Sequence, residues 1–134
     1  MDKHKILQQK LALVDDVLLG LEADLQGNAL PPLVELLDQL EPLVKQMLDG
    51  FGEFRGCDMQ DSVDLLSAHK AFVKGDPSLN AVRDNVRELV YYRNCLNEQR
   101  DDALPPRAER MAVRTTRHIY LYLHSRMEQA AVDD

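Results

Sequence analysis

Residues 3–26 read KHKILQQKLALVDDVLLGLEADLQ, and the spacing of apolar residues in this stretch decides the fold. Leu7, Leu11, Val14, Leu18, Leu21 and Leu25 stand four, three, four, three and four residues apart. At about 100° per residue that spacing lines one side of a helix, so a first helix is expected over 3–26. Gly27-Asn28 supplies its stop. The stripe runs for nearly three heptads, which suits either the core of a bundle or a seam between two copies, so a homodimer through residues 7–25 is a possibility the sequence raises.

The next segment repeats the pattern. Proline is tolerated in a first helical turn, so Pro31-Pro32 marks a second start, followed by Leu33, Leu37, Leu40, Val44 and Met47. Pro42 falls inside and predicts a kink or a split, because it removes a backbone donor and crowds residue 38. Gly50 to Gly56 reads as a loop, with Phe51 and Phe54 folded onto the core. A short third helix is expected over 59–74, with Met59, Val63, Leu66 and Val73 inward. Gly75-Asp76-Pro77-Ser78 ends it and starts the fourth, with Asp76 or Ser78 as cap. The fourth reaches residue 102, with Leu79, Val82, Val86, Leu89 or Val90, and Leu96 inward. After Leu104-Pro105-Pro106 a fifth helix continues to near residue 130. There is no repeat, no low-complexity tract and no strand-like alternation. Short connections favour antiparallel neighbours, so the expectation is a single all-α domain over 1–134, an up-down antiparallel bundle of four to five helices.

Composition agrees with a folded helical domain: 45% of residues are apolar, only 5% are aromatic and there is no Trp. A chain of 134 residues can bury a core without staples. Charge is unevenly placed. Residues 1–67 hold five Lys or Arg against thirteen acids, a net of −8, and residues 68–134 hold eleven against ten, a net of +1. Such a field repels nucleic acid and anionic membrane except where a local basic surface intervenes. Cys57 and Cys95 are isolated and lack metal-ligand spacing, which reads as free thiols. The amphipathic start shows no leader pattern and no segment has the eighteen or so apolar residues of a span, so a cytoplasmic protein with no membrane partner is expected.

The local basic surface lies on the fifth helix. Arg107, Arg110, Arg114, Arg117 and His124 fall within about a quarter-turn of one another, while Ala112, Thr116, Ile119, Leu123 and Met127 take the opposite side. Arginine suits bidentate carboxylate or phosphate contacts. Arg107 and Arg110 also sit where the positive end of a helix dipole disfavours cations by roughly 0.3–1 kcal/mol each, so a compensating acid is expected. Asp15, Asp16, Glu22, Asp24, Glu35 and Asp38 of the acidic half are candidates, as is an acidic partner protein; nucleic acid is a lesser one.

Two constellations resemble known chemistry. Arg117 and His124, six residues between them and about 10 Å apart along the helix, resemble the Arg-x(4–6)-His signature of HEPN nucleases. That resemblance implies metal-independent RNA cleavage, with Arg117 holding phosphate and His124 moving a proton. The segment Ser67-Ala68-His69-Lys70-Ala71-Phe72-Val73-Lys74-Gly75 resembles the histidine phosphotransfer motif, which implies an exposed phosphate-accepting His69. Lys74 and Gly75 follow five and six residues after His69, where that family has them three and four after, and a plain surface histidine on a short helix is the simpler reading. His118 and His124 lie about 120° apart and cannot share an ion, and no Glu-x-x-His pair, glycine-rich loop or nucleophile signature is present. No metal or cofactor is therefore expected. The function expected is that of a small regulatory, adaptor or chaperone-like protein, not an enzyme, binding a protein partner through Arg107, Arg110, Arg114, Arg117 and His124.

Overall fold

The computed structural model describes residues 2–73 and 77–133, without the side chains of residues 72, 77–79 and 131–133. It is an all-α bundle: α1 (Lys3–Gln26), α2 (Leu33–Phe54), α3 (Leu65–Val73), α4 (Arg83–Asn97) and α5 (Ala108–Asp133), with 3₁₀ turns at Pro77–Val82 and Asp101–Ala103. Among the described residues there is no strand. The long helices α1, α2, α4 and α5 run up-down-up-down. Gly50 near the end of α2 lies against Leu7 and Lys10 near the start of α1. Likewise Arg110 on α5 lines a groove with Leu25, and Arg126 lines one with Asp2 and His4. α2 and α5 touch across the centre, α1 packs on both from one side, and α4 packs on both from the other. The small buried side chains Ala108, Ala112 and Thr116 on α5 suit that close central approach. The Thr116 hydroxyl is satisfied by donating to the Ala112 carbonyl at 2.9 Å.

The heptad stripe of α1 is spent inside the bundle. Leu7, Leu11, Val14, Leu18 and Leu21 are all buried, as are Leu33, Leu37, Leu40, Val44 and Met47 of α2. A homodimer through residues 7–25 would therefore have to use the outer residues Leu13, Val17 and Leu19, not the stripe itself. α1 begins where Asp2 accepts from the His4 and Lys5 amides. It ends where Asn28 turns left-handed (φ +56) and the Ala29 amide reaches back to the Asp24 carbonyl at 2.7 Å.

Four boundaries differ from the sequence expectation. α2 runs unbroken through Pro42, which faces outward, so the Asp38 carbonyl that loses its donor is on the solvent side. The expected loop from Gly50 is helix as far as Phe54. Gly50 and Gly52 are buried there because neighbours crowd them: a methyl at Gly50 would come within 3.2 Å of Lys10 Cδ, and one at Gly52 would collide with Met59 Sδ. α3 starts at Leu65, not residue 59, and turns Leu65, Ala68 and His69 inward while Val63 and Leu66 are exposed. α4 stops at Asn97, where Gln99 adopts φ +56 and the Arg100 amide bonds the Cys95 carbonyl at 2.7 Å. The expected cap at Asp76 lies outside the described residues, as do the side chains of Ser78 and Leu79.

Candidate functional site

The basic row divides into two parts according to what α1 places opposite it. Arg117 is absorbed by the fold. Its Nε and Nη2 donate to Glu22 at 3.0 and 2.6 Å, and Nη1 donates to Asp15 at 2.7 Å. Asp15 and Glu22 stand seven residues apart on α1, nearly two turns, so one guanidinium fork spans both. The Glu22 hydrogen bonds, with those of Asp15, push the Arg117 pKa still higher against the opposing effect of burial. The guanidinium also lies 5.0 Å from the centre of the Tyr120 ring, and Tyr120 stacks on His124 with ring centres 5.5 Å apart. His124 lies 3.8 Å from Glu128. Arg117 and His124 thus share a face with Tyr120 between them, but the donors that would hold a phosphate are already given to two carboxylates.

Arg107, Arg110 and Arg114 are not absorbed. Among the described residues none of the three forms an ion pair, although Glu22 and Glu109 line the same grooves. Arg107 stands just before α5 with φ +59, and its carbonyl accepts the Met111 amide, so it caps the helix instead of riding on it. Arg110 Nε is shielded from solvent and has no hydrogen-bond acceptor among the described residues. Two shallow grooves meet at this residue. One, of about 500 Å³, runs from Leu25 across Leu30, Pro31 and Pro32 to Arg107. The other, of about 580 Å³, runs between Leu19 and Ala23 of α1 and Arg114 of α5. Leu25 and Arg110 belong to both, so the arginines form one wall of a continuous surface of mixed polar and apolar character.

The remaining sequence candidates fall elsewhere. His69 is buried at 4% exposure, so the expected surface imidazole is a core residue and phosphoryl transfer would have to reach it through the α3 packing. Cys57 is half-buried and Cys95 buried, both as free thiols. Among the described residues no three of His, Cys, Asp and Glu converge as metal ligands, and no helix is long and apolar enough to cross a membrane. Sequence reasoning missed a second fork. Arg93 on α4 donates to Glu41 at 3.1 and 2.7 Å and to Asp38 at 2.7 Å on α2, mirroring Arg117 on the other side of the bundle. It also missed Glu88, whose carboxylate accepts from the Tyr92 hydroxyl at 2.8 Å and from Thr115. Burial first, and that hydrogen bond second, push the Tyr92 phenol pKa well up. A helix-face count cannot see either, because both depend on which helices become neighbours.

Fold and site together define an up-down helical bundle with, at one end, an arginine cluster that forms no ion pair among the described residues. Set against known protein families, characterised proteins and solved structures, the chain matches none.

Proposed function

We propose that the protein is a small cytoplasmic binding module, regulatory, adaptor or chaperone-like, that docks an acidic segment of a partner protein on Arg107, Arg110 and Arg114. The observation that carries this reading is that, among the described residues, none of these three forms an ion pair, although Glu22 and Glu109 line the same grooves, beside an Arg117 that takes two acids. Arg110 lies in the first turn of α5, where the helix dipole adds to the cost of an uncompensated cation. A partner carboxylate would offset that cost and draw the Arg110 side chain outward to make the bond its Nε lacks. Leu19 and Leu25 offer apolar contact beside the charges, the mixture from which protein interfaces are built. Arg117 serves this surface by holding α5 against α1, while His124 contacts Tyr120 and Glu128 of its own helix.

The test is a pull-down with the wild-type chain and an Arg110→Glu/Arg114→Glu variant, each checked by circular dichroism. The reading expects a protein with an acidic segment to be retained by the wild type and lost by the variant at unchanged helicity. Retention by both, or bound nucleic acid in place of protein, would contradict it.

A further inference from the structure

A second concave surface is built from other elements. Between α2, the start of α3 and α4 lies a groove of about 430 Å³ whose apolar wall comes from Pro42, Val63, Leu66 and Val90. Val63 is 83% exposed and Leu66 41% exposed. Scattered apolar residues on a surface need no explanation, but a concave cluster of them does. Their outward placement is fixed by a reciprocal cap at the head of α3. The Val63 and Asp64 amides both donate to Ser67 Oγ at 3.0 Å, and the Ser67 amide donates to Asp64 Oδ1 at 2.9 Å. With the phase of α3 set there, Leu65 and Ala68 face the core and Leu66 faces the groove.

The rim of this groove is acidic. Asp38, Glu41 and Asp64 border it, and its two cations are already engaged: Arg93 by Glu41 and Asp38, Lys45 by Asp49. The lining holds three carboxylates against two cations, and Lys45 is further engaged by Asp49 outside it. Asp38 and Asp64 are both exposed. Nucleic acid and an anionic bilayer are repelled by such a rim, whereas a basic segment is drawn to it.

We propose that this groove docks a helix of a partner protein that presents neighbouring apolar side chains flanked by lysine or arginine. The apolar side chains enter between Val63, Leu66 and Val90, as an amphipathic helix lies in a hydrophobic groove, and the flanking cations meet Asp38 and Asp64. The surface is independent of the arginine cluster and calls for a partner of opposite charge.

Two labelled synthetic helical peptides test it by fluorescence anisotropy, one with leucines flanked by lysines and its twin flanked by glutamates. At low ionic strength the lysine peptide is expected to bind at least about tenfold more tightly than its twin. Val63→Ser combined with Leu66→Ser is expected to weaken that binding by about tenfold or more, at unchanged helicity because both side chains are exposed. Equal binding of the twins, no binding of the lysine peptide, or insensitivity to the serine pair would overturn the proposal. So would self-association of the chain, seen by sedimentation, that the serine pair abolishes, since the occupant would then be a second copy.

Discussion

Arg114 and Arg117 lie three residues apart on one helix and differ in what α1 sets against them. Arg117 is only 15% exposed in its side chain and is gripped by Asp15 and Glu22, themselves about one-third exposed. Partial solvation of the acids places this pair below a buried ion pair and above a surface one. Arg117→Ala is therefore expected to cost about 1–2 kcal/mol in urea denaturation, the worth of charge-assisted hydrogen bonds discounted for screening. Arg117→Lys should recover only part, because an ammonium cannot span two carboxylates as the planar fork does. Arg114→Ala should stay within about 0.5 kcal/mol of wild type, as for an exposed side chain with no internal partner. An Arg114 that proved as costly as Arg117 would make the whole row internal.

Helix by helix, the apolar stripes were legible and the ends were not. The 4-3-4-3 spacing of α1 and α2 marks the centre of each buried face, because burial on a long helix leaves a period that local sequence carries, although Leu25 is only half-buried and Leu36 and Leu48 are buried beside the stripe. Pro42 and Gly50 are breakers by residue type, yet α2 runs through both. An exposed proline leaves its orphaned carbonyl in water, and a glycine under a neighbouring helix is there for close approach. Of the residues expected inward around α3, Met59 and Val73 pack against the core, whereas Val63 and Leu66 are exposed because the Asp64–Ser67 cap sets the phase of the helix. The end of α4 carries no glycine signal, because the left-handed residue there is Gln99. That position yields a prediction: Gln99→Gly should stabilise the protein by about 0.5–1 kcal/mol in chemical denaturation, by relieving the left-handed penalty of a side chain. No gain would mean that the Gln99 side chain makes compensating contacts.

Across the whole molecule, the charge imbalance of the sequence becomes a division of surfaces. The acidic half supplies the carboxylates that Arg117 and Arg93 clamp, one fork on each side of the central α2–α5 contact. The paired charges tie the outer helices to the centre. The arginines left over gather where α1, the α1–α2 connection and the start of α5 meet, while the groove beside α3 keeps an acidic rim. Of the candidate site, the sequence showed the row of arginines but not its division, which rests on the register of α5 against α1. The most direct measurement is the affinity of a labelled, acid-rich peptide with leucine anchors for the wild-type chain and for Arg110→Glu/Arg114→Glu, read alongside their melting temperatures. The double reversal is predicted to weaken binding by at least about tenfold at an unchanged melting temperature. Equal affinity for the two proteins, or a variant that melts early, would contradict the division of the row into an internal clamp and an outward docking face.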